Sequence, residues 1–217
     1  MLVCGPSCAG PRVDFGPCQD LVAASPGSWQ DSLPPVLALG RGAATPLAEA
    51  LSASPDGPGA QAALCALGEL GNRDAVPLLV QWIIEDRPHA YEAALSLGKL
   101  GDERVTPTLQ KCADDASRDS VTRTAAACAL LDLGQVEAAT PLLHAVLVAG
   151  TPYGGDLGSV HGLPEKSRWA LERTLAIDAI ARFADGERFG LDADAAWPRL
   201  KVGAEAFERY VHDLQQP

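Results

Sequence analysis

The stretch Ala66–Trp82, ALGELGNRDAVPLLVQW, decides the fold. Its Leu70-Gly71 pair reads as a helix end, because a glycine just past the last turn enters the left-handed conformation without a Cβ penalty. A short polar link, Asn72 to Asp74, follows. Pro77 then reads as the first turn of a new helix, where its missing N–H has no partner to lose and its fixed φ is already helical. Apolar residues at helical spacing continue from it, Leu79, Trp82 and Ile83. The phrase returns as SLGKLGDERVTPTLQK from Ser96 and as LLDLGQVEAATPLLHA from Leu130, with a weaker copy, GRGAATPLAEAL, from Gly40. Its prolines, Pro46, Pro77, Pro107 and Pro141, stand 31, 30 and 34 residues apart. A near-constant period in this range is the sequence signature of a solenoid.

The first helix of each unit carries paired alanines and spaced leucines: Ala63, Leu64, Leu67 and Leu70; Ala93, Ala94, Leu97 and Leu100; Ala126, Ala127, Leu130 and Leu133. Alanine lets neighbouring helices approach, and leucine fills the space between them. One helix pair cannot bury its own apolar face, whereas stacked pairs share a continuous core.

Composition agrees. Of 217 residues 47% are hydrophobic and only 5% aromatic, and the apolar content is mainly Ala, Leu and Val. Ala and Leu are strong helix formers. The expectation is an all-α chain. The net charge of −11 argues against nucleic acid and anionic membrane surfaces, which require clustered Lys and Arg. It reads as a solvated surface that keeps the molecule soluble. No apolar run reaches the roughly 18 residues of a membrane helix.

The sequence divides into four parts. Residues 1–28 read as an irregular segment rich in Gly and Pro that holds Cys4, Cys8 and Cys18. The Cys-x3-Cys and Cys-x9-Cys spacings depart from the usual paired metal motif. A disulfide would require export, and the preferred reading is an unstructured tail with incidental thiols. Cys65, Cys112 and Cys128 fall at apolar helix positions and read as small core residues. Residues 29–149 form the repeats. Residues 150–164, rich in Gly and Pro, read as a loop. In residues 165–217 a long helix over 165–184 is expected, with Trp197, Leu200, Phe207, Tyr210 and Val211 folding back as a helical cap. The N-terminus lacks the basic and apolar regions of a secretory signal, and a cytoplasmic location is the expectation. GPSCAG, residues 5–10, loosely resembles a lipoprotein acylation box, so a start upstream would make the chain exported or lipid-anchored.

From Ala62 to Leu147 the chain resembles the HEAT-like repeats named after phycobiliprotein (bilin) lyases. The match lies in AALCALGELGNRDAVPLL, AALSLGKLGDERVTPTL and DSVTRTAAACALLDLGQVEAATPLL. Members often place a Val-Arg pair early in the first helix; here only Val121 with Arg123 fits. The resemblance implies an α-solenoid of four to five HEAT-like antiparallel helix pairs with a C-terminal helical cap. It implies little about chemistry, since such repeats serve unrelated functions. Deoxyhypusine hydroxylases, similar in outline, bind iron through repeated His-Glu dipeptides. The histidines here are followed by Ala90, Ala145, Gly162 and Asp213, which excludes that site. No nucleophile elbow and no phosphate loop occurs, and no cofactor is expected.

The resemblance also implies that second helices line the concave side. Registered on the prolines, Val80, Gln110 and His144 are equivalent, as are Gln81, Lys111 and Ala145, and Ile84, Asp114 and Val148. This mixture suits a peptide or protein partner better than phosphate or metal. Gln81, Gln110, Lys111, Asp114 and His144 are therefore the candidate contact residues. Tyr153 and His161 join them from the loop, which is either a tolerated insertion or a grip on the partner. The functional expectation is a non-catalytic interaction scaffold; the alternative is an accessory bilin lyase or cofactor-insertion protein holding a tetrapyrrole.

Overall fold

The computed structural model describes residues 14–25, 28–148 and 165–184. Ten α-helices and no strand occur among them: α1 Gly16–Ala23, α2 Trp29–Ala38, α3 Ala44–Ala53, α4 Ala60–Leu70, α5 Val76–Ile84, α6 Ala90–Leu100, α7 Thr106–Asp114, α8 Ser120–Asp132, α9 Val136–Val148 and α10 Glu165–Ala184. The chain is an all-α solenoid, as its period requires.

Gly40, Gly71, Gly101 and Gly134 all adopt positive φ, between 63° and 75°, so the left-handed stop after each first helix is real. A one-turn 3-10 helix follows in two of the copies, Arg73–Ala75 and Glu103–Val105. Each is started by a side chain accepting a backbone N–H two residues on: Asn72 Oδ1 from Asp74 at 3.0 Å and Asp102 Oδ1 from Arg104 at 3.1 Å. This local bond satisfies a donor that the turn would otherwise leave open. Pro77 and Pro107 then occupy the first turn of α5 and α7. The fourth copy differs. α9 begins at Val136, so Pro141 stands inside the helix. The longer spacing to Pro141 is used for an additional helical turn, and Thr140 Oγ1 donates to Val136 O at 2.7 Å within it.

The first helices α4, α6, α8 and α10 stack side by side, and each of α5 and α7 packs along the first helix that follows it. Leu64, Leu67, Leu97, Leu109, Leu130, Leu131 and Leu143 are fully buried, as are Trp82 and Ile83. Two glycines between the leucines set the spacing of the stack. A Cβ on Gly68 would lie 2.9 Å from Ser96 Cβ and 3.0 Å from its Cα; one on Gly98 would lie 2.9 Å from Ala129 Cα. Ser96 Oγ donates to Leu64 O at 2.8 Å, so this buried hydroxyl is satisfied. α8 has neighbours on every side, and its positions from Val121 to Asp132 are all buried.

Polar contacts join the units laterally. Arg73 Nη2 donates to Gly101 O at 2.8 Å, Arg118 Nη1 to Ile83 O at 2.8 Å, and Arg123 Nε to Ala113 O at 3.0 Å. These guanidinium groups meet carbonyls at or near helix C-termini, where the helix dipole favours a cation. Asp132 meets Arg182 at 3.2 Å, and Ser120 donates to Glu172, which ties α10 to α8.

The irregular segment expected over residues 1–28 is corrected by α1. Cys18, Leu21 and Val22 are buried. Gly59 N–H donates to Val22 O at 3.0 Å, and a Cβ on Gly59 would fall 1.8 Å from Leu21 O. Only glycine permits this approach, and it clamps α1 onto the start of α4. The tail reading thus fails for Cys18, whose thiol packs in the core 3.8 Å from Ala43 O. Cys4, Cys8, the loop 150–164 and the cap expected beyond Ala184 lie outside the described residues. Among those that are described, no helix is long and apolar enough to cross a membrane.

Candidate functional site

The second helices α5, α7 and α9 meet the core through Leu79, Leu109 and Leu143. Their opposite faces carry the residues that the proline register singles out. Gln81, Lys111, Asp114 and His144 are exposed, and Gln110 is half-buried. Ile84 shares this face and is 63% exposed, the highest value of any large apolar side chain described. Val80 is half-buried beside it.

The recorded bonds of these side chains run along their own helices. Gln81 Nε2 donates to Glu85 Oε1 at 2.6 Å, and Gln110 Nε2 to Asp114 Oδ2 at 2.9 Å. Both pairs are i, i+4 neighbours, which helix geometry brings together. The amides of Gln81 and Gln110 are thus held by carboxylates of the same segment. Tyr153 and His161 lie outside the described residues.

Between the starts of α5 and α7 this face holds an open depression of about 500 Å³, lined in part by Val76, Val80, Val105 and Thr108. Arg73 and Arg104 stand on its rim. Arg104 Nη2 donates to Asp102 Oδ2 at 2.6 Å. That hydrogen bond, stronger than the opposing effect of burial, lowers the Asp102 carboxyl to about 2. The aspartate is 3% exposed, while its arginine partner is largely in solvent.

A second concavity lies at the far side of the stack, and the sequence reading missed it. It is a cleft of about 240 Å³ between α2 and α4, closed at one end by the start of α6. Trp29 and Leu33 form its apolar wall, Gln61, Ala62 and Cys65 its floor, and His89 and Glu92 its end. Gln61 Nε2 donates to Tyr91 Oη at 2.8 Å and to Glu92 Oε1 at 3.1 Å. Burial, with the nearby Glu92 charge, pushes the Tyr91 hydroxyl up from its ordinary value. The turn that delivers His89 is unusual. Asp86 and His89 both hold positive φ, 50° and 62°, a conformation in which Asp and His are enriched among non-glycine residues. Arg87 over the Trp82 ring at 5.0 Å, and Trp82 Nε1 donating to Pro88 O at 2.7 Å, secure that turn.

The described cysteines have no activated thiolate character. Burial raises all four, Cys112 to about 11. Cys65 differs from the sequence reading in being only half-buried, at the cleft. Among the described residues, no group of three His, Cys, Asp or Glu side chains could hold a metal ion.

Against known proteins, the family model described as HEAT repeats matches residues 44–131 and, in an overlapping placement, residues 85–151. The match is to HEAT repeats in general and does not identify the narrower bilin-lyase group. No curated protein and no solved structure matches the chain. The repeated glycine stop, the shared leucine core and the matched repeats lead to one conclusion: the chain is a HEAT-like repeat protein.

Proposed function

We propose that the chain is a non-catalytic scaffold whose second-helix face, the side expected to be concave, docks a protein or peptide partner. HEAT repeats typically serve as protein-interaction scaffolds. The supporting observation is the composition of this face. Ile84 is exposed and Val80 half-buried on α5, and the outward faces of the second helices also carry Gln81, Gln110, Lys111, Asp114 and His144. Apolar groups together with polar groups of mixed sign are the make-up of a protein interface. The loop residues Tyr153 and His161 would extend it.

The test is a double variant, Gln110→Glu with His144→Glu, used as bait beside the parent chain in affinity capture read by mass spectrometry. His144 is exposed and Gln110 half-buried at the surface, so the added charges should cost little, about 1 kcal/mol, and circular dichroism should be unchanged. A partner that buries these positions would leave an unpaired charge out of water, which costs several kcal/mol, and its capture should be lost. The same partner recovered equally by both baits would remove the site from this face.

A further inference from the structure

The cleft beside α2 lies where the stack is least closed. In α4 and α6 the glycines three residues before the left-handed stop, Gly68 and Gly98, let the next first helix come within van der Waals distance of the backbone. α2 carries Pro34 and Pro35 and buries only Val36. It meets α4 less closely than α4 meets α6, and the cleft opens between them.

Trp29, Leu33 and Leu37 follow at i, i+4 and i+8, so they form one stripe on α2. Trp29 is 39% and Leu37 37% exposed. The outward side of a solenoid's end units is ordinarily polar, which keeps the array soluble; α2, near the N-terminal end, keeps an apolar stripe. At about 240 Å³ the cleft lies below the range of about 300–1,000 Å³ usual for small-molecule pockets. It has room for an anchoring side chain of a peptide, the way buried aromatic and aliphatic anchors seat in an interface.

Charge then selects the partner. The cleft's single carboxylate, Glu92, is fixed at its end by Gln61, no Lys or Arg lines it, and the chain carries a net charge of −11. We propose that this cleft docks a cationic amphipathic segment of a partner protein. An apolar side chain would seat against Trp29 and Leu33, and a lysine or arginine against Glu92. This surface is separate from the second-helix face and does not rest on that reading.

The experiment uses the full chain and three fluorescently labelled peptides of equal length: a leucine-lysine amphipathic helix, the same helix with glutamate replacing lysine, and oligolysine. Binding is read by anisotropy at physiological ionic strength, where diffuse attraction to the acidic chain is screened over about 8 Å. The leucine-lysine peptide should bind about ten-fold or more tighter than either of the others, a difference of 1.4 kcal/mol. Leu33→Glu should weaken it about ten-fold or more, as loss of a central anchor does. Glu92→Gln should weaken it several-fold, and Asp114→Asn, the same charge change on the opposite face, less than about two-fold. Trp29→Ala serves if Leu33→Glu fails to fold by circular dichroism.

Oligolysine binding as tightly as the amphipathic peptide overturns the proposal, as does indifference to Trp29→Ala, Leu33→Glu and Glu92→Gln. Light scattering that shows a dimer split by Leu33→Glu would assign the cleft to a second copy. Tighter peptide binding after deletion of residues 1–13 would assign it to the chain's own N-terminus. Either result also overturns the proposal. Retention of binding by the Gln110→Glu, His144→Glu variant is expected, which separates this test from that of the second-helix face.

Discussion

α6 and α8 meet along a seam with no room for one additional methyl group, because Gly98 faces Ala129 there. α2 and α4, in the equivalent place two units earlier in the array, leave an opening lined by Trp29 and Leu33. The register position of Gly98 holds a leucine in both α2 and α8, Leu37 and Leu131. Leu131 is fully buried and α8 packs closely on α10, whereas Leu37 is exposed, so that one side chain does not set the distance between helices. The comparison teaches that the period determines where helices stack, while the contacts of each whole helix determine how closely. α6, with Gly98 against Ala129, closes into a core layer. α2, with Pro34 and Pro35 and only Val36 buried, leaves an open edge.

The comparison can be broken most forcefully at the tight seam. Leu97→Ala and Leu130→Ala, both at fully buried positions, should each destabilise by about 2–5 kcal/mol in chemical denaturation. Gly98→Val should cost a further measurable amount, about 1–3 kcal/mol or more, because the backbone of α8 and not a flexible side chain lies in the way. Leu37→Ala, at the open seam, should stay within about 1 kcal/mol. Equal losses at Gly98 and Leu37 would show that the seams do not differ as described.

The helix stops come next in size. Gly101 holds φ +63° and a Cβ there would meet only the far end of Arg73. Gly101→Val should therefore act through backbone strain alone, about 1–2 kcal/mol, without the steric component expected of Gly98→Val. Matching thermal shifts in the two variants would merge effects that the geometry keeps apart.

The smallest effect concerns the link after that stop. Asp102 has its carboxyl lowered to about 2 by the Arg104 hydrogen bonds, against an unfolded value of about 3.9. A depressed carboxylate contributes stability that is fully present above the unfolded value and is lost as pH falls through the folded one. Melting temperature followed from pH 5 down to pH 2 should fall less steeply in Asp102→Asn than in the parent, with the difference confined to the window between about 4 and 2. A parallel pair of curves would mean that Asp102 titrates alike in both states.

Much of the fold is legible in the residues because its signals are local. Glycine past a helix end, proline in the first turn and leucine at helical spacing act within a few positions, and each recurs, so the copies corroborate one another. α10 over 165–184 is equally local. Pro141 misled for a related reason. Its helix begins a turn earlier than the proline suggests, and only the longer spacing hinted at it. The site was partly legible. The proline register picks out residues on one face of the second helices, but it cannot say whether anything covers them. The cleft beside α2 was not read at all; Pro34 and Pro35 in α2 were the local departure from the repeat that could have drawn attention to it.

By itself the sequence determined the all-α class, the repeat period, the helix stops and the leucine core, because each depends on backbone preference or on apolar spacing along one helix. The tertiary structure alone decided that α1 belongs to the fold, since the reason is a backbone contact between Gly59 and Leu21, distant in the chain. It alone showed that Cys65, Gln61, Tyr91 and Glu92 converge beside Trp29. Those residues come from three helices, and no spacing along one chain can encode the distance between helices.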